Sequence, residues 1–306
     1  MKYRKLGRTN LEVSELGFGA WPIGGVLKLG KQGLSYGQTQ EKSSLKALET
    51  AIENGINFFD TADIYGMGLS EQLIGRAIKH RREKTIIATK VGNVIEGNEL
   101  KVNLSYRHII KACKESLARL QTNYIDVYQL HFPPKSLEDE CFDALKELKK
   151  MGLIRFIGIS IAHRFDKAVQ FIKSDAIDTI LLYYNLLFRD AEDFVLPQAR
   201  EHNIGVIVAS PLSRGLLTGK YNKDTKFPPE DTRSRWNEGE KDRNWFLEQL
   251  DKVDKIKKDS KIDNQELISM ALGFPLNHSA VSTVIAGMKT KEQVLQNLKA
   301  YGMLNL

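Results

Sequence analysis

Cysteine is almost missing from this chain: Cys113 and Cys141 are the only two among 306 residues. Each sits in a helix-patterned segment without metal-ligand spacing, so a disulfide framework and a structural zinc site are excluded and a reducing compartment is expected. No run of eighteen apolar residues exists, and the opening MKYRKLGRTN has no apolar core behind its basic residues. A soluble, cytoplasmic protein that neither crosses nor enters a membrane is therefore expected. Linkers, low-complexity stretches and repeats beyond a strand–helix alternation are absent too, which leaves residues 1–306 as one undivided domain. The first strand lacks the G-x-G-x-x-G that an open, doubly wound dinucleotide fold offers, because GFGAWP fails at the third glycine. Acid is in the minority, with 38 Asp and Glu against 45 Lys and Arg, a net charge of +7. The densest basic cluster, KHRREK at 79–84, has no interleaved aromatics and falls where a helix should end, a place that suits cations. It reads as a solvated face rather than a nucleic-acid surface.

What is present is an ordinary globular composition, 42% hydrophobic and 27% charged. After an N-terminal β-hairpin, eight apolar runs alternate with helix-patterned segments. The runs are LGFGA (16–20), INFFD (56–60), TIIATK (85–90), YIDVYQLH (124–131), IRFIGIS (154–160), IDTILLYY (177–184), IGVIVAS (204–210) and STVIAG (282–287). Helices are expected over 40–55, 70–80, 105–121, 137–152, near 164–173, near 192–202, and over 291–300. Parallel strands need crossovers and covered faces, so the pattern predicts a closed α/β barrel, the (β/α)8 or TIM barrel. The stretch 211–262 is too long for an ordinary loop and carries its own helix near 243–258. It reads as a lid and ligand-binding insertion after strand seven.

In such barrels the chemistry gathers at the C-terminal strand ends. Those positions hold Trp21, Asp60, Tyr65, Lys90, His131 and Ser160. A tyrosine can give a proton to a developing alkoxide, and does so better if a neighbouring ammonium lowers its pKa. A carboxylate would hold that lysine charged. Asp60, Lys90 and Tyr65 supply this relay, with His131 placed to polarise a carbonyl oxygen. Singly, each has a plain alternative: a turn-capping acid, a snorkelling lysine, a hydrogen-bonded histidine, a turn aromatic. Their occurrence on adjacent strand ends favours chemistry. One His and one Asp without a paired acid or cysteine argue against a metal site.

With these motifs the sequence resembles the aldo-keto reductase family over almost its full length. The resembling pieces are GAWPIGG (19–25), FFDTADIYGMGLSEQLIGRAI (58–78), IIATKVG (86–92), YIDVYQLH (124–131), IRFIGIS (154–160), YYNLLFRD (183–190), SPLSRGLLTGKY (210–221) and VIAGMKTKEQVLQN (284–297). The resemblance implies a catalytic tetrad at Asp60, Tyr65, Lys90 and His131, and transfer of the 4-pro-R hydride of a nicotinamide cofactor. It places that cofactor across the barrel mouth, touching Gly19, Trp21 and Ser160. The pyrophosphate would lie against Ser210 and Lys220 and against backbone donors near Pro211, Leu212, Arg214, Gly215 and Leu216. Gly287, Met288 and Lys289 would meet a 2′-phosphate, and Gln293 and Asn297 the adenine. Lys289 favours NADPH (NADP+), with NADH possible. Three positions depart from the commonest family pattern: Ile161 where Asn is frequent, Leu181 where Gln is frequent, and Ala209 where an aromatic is frequent. Trp21, Phe132, Phe188 and Trp236 are the candidate walls of a substrate pocket.

The expected function is NADPH-dependent reduction of an aldehyde or ketone, with a small-molecule carbonyl compound as partner. Two alternatives stand beside it. One is an NAD(P)-dependent sugar or polyol dehydrogenase. The other is a cofactor-binding regulatory subunit with little turnover, like the barrel-shaped β-subunits of potassium channels. Natural substrate and oligomeric state are not legible.

Overall fold

The computed structural model describes residues 1–30 and 32–304, so Lys31 and the last two residues of the expected 1–306 unit lie outside the described residues. The eight apolar runs become strands β1 (Leu16–Gly19), β2 (Phe58–Asp60), β3 (Ile86–Val91), β4 (Ile125–Leu130), β5 (Ile154–Ala162), β6 (Thr179–Tyr183), β7 (Gly205–Ala209) and β8 (Val281–Gly287). Each pairs in parallel with the next, and β8 returns to pair with β1, closing the barrel. Because both faces are covered, β2, β3 and β4 are buried at every residue.

The crossovers are α1 (Glu41–Glu53), α2 (Leu69–Ile78), α3 (Tyr106–Leu120), α4 (Cys141–Lys150), α5 (Phe165–Ile172) and α6 (Ala191–Glu201). After β7 come α7 (Glu240–Ser260) and α8 (Asn264–Leu276), and α9 (Lys291–Gly302) follows β8. One large apolar cluster fills the space between strands and helices. A second fills the barrel, where Phe58, Ala88, Val127 and Ile207 meet Leu6, Leu11 and Val13. The last three belong to the expected N-terminal hairpin, Tyr3–Lys5 paired antiparallel with Glu12–Ser14, which plugs the bottom of the barrel. The insertion after β7 has its own core, in which Trp236, Phe227, Phe246 and Leu250 pack together.

Three elements go beyond the sequence reading. α8 was not expected, because NQELISMALGFPL is buried around most of its circumference and shows no helical stripe; its legible mark is the Asp263–Glu266 capping box. Two small antiparallel pairs, Lys28–Leu29 with Gln32–Gly33 and Asn93–Glu96 with Glu99–Val102, stand at the mouth. Among the described residues no helix is long and apolar enough to cross a membrane.

Candidate active site

Alternation along the strands decides which side chains reach the mouth. Phe58, Ala88 and Val127 point into the barrel, so the residues two further on, Asp60, Lys90 and Gln129, form the next layer up. Lys90 and Gln129 are register partners across β3 and β4. Lys90 Nζ donates to Asp60 Oδ1 at 2.5 Å and to the Thr61 carbonyl at 2.8 Å, while Gln129 Nε2 donates to Asp60 Oδ2 at 3.0 Å. Both carboxylate oxygens are thus satisfied inside the protein. Burial pushes Asp60 upward and Lys90 downward from their ordinary pKa values, and their mutual attraction opposes both shifts. Gln129 was not singled out in the sequence; its signal was the i, i+2 relation to the inward-facing Val127.

Tyr65 sits on the loop after β2, and glycine positions that loop. Gly66 has φ +61, and a Cβ there would fall 1.8 Å from the Gly24 carbonyl oxygen. The loop therefore docks backbone to backbone on the turn Trp21–Gly24, and Ser70 Oγ, donating to the Ala20 carbonyl at 3.1 Å, adds a side-chain tie. The Tyr65 ring lies parallel to Trp21 at 5.9 Å and edge-on to His131 at 5.8 Å, with Lys90 Nζ 5.1 Å from its centroid. The structure thus brings Asp60, Tyr65, Lys90 and His131 together.

One electrostatic expectation is corrected. Lys90 does not bring the phenol's pKa down on balance: burial first, then Asp60, hold Tyr65 well above its ordinary value. The ammonium is spent on Asp60 and Thr61, so its field at the phenol is largely cancelled. Tyr65 is accordingly a firmly protonated donor. His131 is the converse case, an imidazole depressed to about 3 by burial and then by Lys90, hence neutral over the physiological range. Its Nδ1 is buried without a partner among the described residues, and its ring stacks on Phe132 at 5.5 Å.

These groups stand at one end of a cavity of about 650 Å³ that crosses the barrel mouth. Gly19, Trp21, Phe132 and Ser160 line the same end. The other end is lined by Ser210, Pro211, Leu212, Arg214, Gly215 and Lys220, and by Gly287, Lys289, Gln293 and Asn297. Arg233, unforeseen in the sequence, joins them. Lys220 is held below its ordinary pKa by burial and then by Arg233 and Lys289, the mark of cations gathered where an anion would relieve them. Positive φ at Ser210, Ser213, Arg214 and Gly215 folds the backbone into the kind of concavity that binds anions. The site therefore fits a dinucleotide phosphate on its own donor chemistry.

A strap closes over the middle of the cavity. Thr232 N–H donates to the Ser35 carbonyl at 2.8 Å and Ser35 Oγ to the Glu230 carbonyl at 3.0 Å. Lys289 Nζ donates to the carbonyls of Tyr36 and Gln38, each at 3.1 Å. The Arg233 guanidinium lies 4.9 Å from the Tyr36 ring centroid and is paired with Asp231 at 2.6 Å. Nothing in the sequence marks 34–38 and 230–233 as neighbours.

Two of the expected pocket walls, Trp236 and Phe188, are placed elsewhere, while the side chains of Leu216 and Met288 are buried in the core of the insertion and in the main core, which leaves only backbone atoms there to meet a phosphate. Trp236 is 1% exposed and packs on Phe246 and Phe227, an anchor of the insertion rather than a wall of the main pocket. With Phe188 it borders a smaller neighbouring cavity of about 300 Å³, which shares Tyr183, Ser210 and Arg214 with the large one. Of the three departures, Leu181 and Ala209 line the main cavity, whereas Ile161 is buried in the main core.

The profile of the Aldo/keto reductase family matches residues 15–306. Aldo-keto reductase YhdN of Bacillus subtilis is 34% identical over 298 residues, covering 96% of this chain and 87% of that protein. L-galactose dehydrogenase of Arabidopsis thaliana is 33% identical, covering 98% of this chain and 88% of that protein. The holo structure of aldo-keto reductase AKR11C1 from Bacillus halodurans superposes with a TM-score of 0.78 at 34% identity, covering 100% of this chain and 92% of that one. With a closed eight-stranded barrel, a cavity across its mouth and these relatives over nearly the whole length, the chain belongs to the aldo/keto reductase family, oxidoreductases of carbonyl groups that use a nicotinamide cofactor.

Proposed function

We propose that this chain reduces aldehydes or ketones with NADPH, Tyr65 acting as general acid. The reading rests on one arrangement: a protonated phenol and a neutral imidazole face the same end of a cavity whose other end is cationic. A bound nicotinamide supplies the hydride. Tyr65 donates its proton to the carbonyl oxygen as that oxygen gains charge. An alkoxide is far more basic than a phenolate, so a raised phenol pKa does not prevent the transfer. His131, neutral, donates one hydrogen bond to the same oxygen and orients it. The Asp60–Lys90 pair fixes the floor beneath both rings and, with Gln129, keeps the ammonium from wandering. Tyr183, register partner of Ala209, brings an aromatic face to the wall where Ala209 has none.

On this reading the Ser210–Gly215 segment, with Lys220 and Arg233, holds the pyrophosphate, and Lys289 meets the 2′-phosphate. Gln293, whose Oε1 accepts from Lys289 N–H at 2.8 Å, and Asn297 border the adenine. A charge-assisted hydrogen bond contributes about 1.5–3 kcal/mol, roughly 10- to 150-fold in affinity. Titrating tryptophan fluorescence with each cofactor tests the assignment: Lys289→Ala should weaken NADPH at least about tenfold more than NADH. Equal losses for both would leave Lys289 as a strap residue and remove the NADPH preference. The identity to L-galactose dehydrogenase favours a second reading, sugar oxidation with NAD+. Rates with galactose, xylose and simple aldehydes, measured with both cofactors, separate the two.

A further inference from the structure

The hairpin 93–102 contributes to the cavity a polar group that neither the tetrad nor the cofactor half uses. Gly92, at φ +120, turns the chain out of β3, and the register Asn93↔Val102, Ile95↔Leu100 then fixes which side chains share a face. Asn93 and Leu100 both line the main cavity. Asn93 is 8% exposed, and its Oδ1 is buried without a partner among the described residues. A buried amide oxygen left unpaired is costly, so a group that pairs with it gains affinity out of proportion to its size. The surroundings narrow that group. Trp21, Leu34, Leu100 and Phe132 supply apolar wall, the Trp21 indole N–H is committed to the Leu34 carbonyl at 3.1 Å, and Lys90 is spent on Asp60. The cations Arg214, Lys220, Arg233 and Lys289 belong to the cofactor half.

We infer that Asn93 reads a hydroxyl on the substrate, so that the preferred class is a neutral carbonyl compound with an apolar body and a hydroxyl group. A hydroxyl both donates and accepts, so it pairs with either edge of the amide. This rests on the reading of the cavity as a carbonyl-reducing site, but its test does not need turnover.

The probes are 3- and 4-hydroxybenzaldehyde, each against its methyl isostere, with 4-carboxybenzaldehyde as the charged comparison. Dissociation constants are measured by calorimetry in the presence of NADP+, where no reduction can occur, and kcat/KM is measured separately with NADPH. The wild type should favour the hydroxylated member of at least one pair, and should bind the carboxylated compound more weakly than either. In Asn93→Leu and Asn93→Ala that hydroxyl preference should fall about tenfold, the discrimination expected when a buried polar partner is withdrawn. A melting-temperature rise with NADP+ confirms that both variants keep the mouth intact. A hydroxyl preference unchanged within about twofold in the folded variants would overturn the role of Asn93. Absence of any hydroxyl preference, or of any binding, in the wild type would overturn the substrate class. A binding preference that holds while no reduction occurs supports Asn93 and faults the catalytic reading instead.

Discussion

Asp60→Asn removes the charge from one side of an enclosed ion pair while keeping its shape. Asp60 and Lys90 are 3% and 2% exposed, so solvent cannot take over the ammonium's charge. Lys90 Nζ keeps the Thr61 carbonyl and gains at best a neutral amide oxygen. Breaking a buried pair by removing one partner costs about 3–5 kcal/mol. For a chain of this length, at about 2 °C per kcal/mol, the melting temperature should fall by about 6–10 °C. Adding Lys90→Met removes the stranded charge, and exchanging a whole buried pair for groups of similar volume is often neutral or stabilising. The double variant should therefore recover most of the loss, although carbonyl reduction should not return. Far-UV circular dichroism during heating, on wild type, both single variants and the double, reads the cycle. If Asp60→Asn melts within about 2 °C of wild type, or the double variant is no more stable than Asp60→Asn, the pair does not carry the assigned energy.

The neutral His131 gives a pH test. Its pKa is depressed to about 3, so the imidazole stays unprotonated as pH falls through its ordinary value of about 6.5. The kcat/KM profile should therefore show no acid limb near pH 6–7 that is absent from His131→Gln; such a limb would mean a histidine titrating in the normal range. Gly66→Ala should destabilise by at least about 3 kcal/mol, because a Cβ meets the Gly24 carbonyl and φ is positive. It should also cut carbonyl reduction by displacing Tyr65, whereas Gly302→Ala, where φ is not positive and a Cβ meets nothing among the described residues, should leave reduction intact. Urea unfolding and initial rates check both variants, and equal behaviour would dismiss the docking of the Tyr65 loop on Gly24.

The barrel was legible because its signal is local and repeated. Each strand's apolar run and each C-terminal polar residue could be seen without knowing the partner strand. The same alternation that makes Phe58 core makes Asp60 part of the mouth, and it sets Gln129 there in the same way, two residues beyond the inward-facing Val127. Tyr65 was legible through its place on the loop after a strand that ends on Asp60 and through the stretch FFDTADIYG that carries the resemblance. What escaped depends on contacts between distant loops. The strap joins 34–38 to 230–233 through backbone hydrogen bonds, which any residue can make, so no residue type announces it. α8 escaped because a helix buried on most sides has no polar face to reveal its period. The direction of the Tyr65 pKa is hidden from the sequence for a related reason. Lys90 is near enough to act, but whether its charge is free depends on Asp60 and Thr61, and that is a matter of three-dimensional pairing.

The most direct test is single-turnover oxidation of bound NADPH by 4-nitrobenzaldehyde in wild type and Tyr65→Phe. Loss of a positioned proton donor should slow the step about 10²–10⁴-fold while NADPH affinity stays within about threefold. A rate in Tyr65→Phe equal to that of wild type would contradict Tyr65 as the acid.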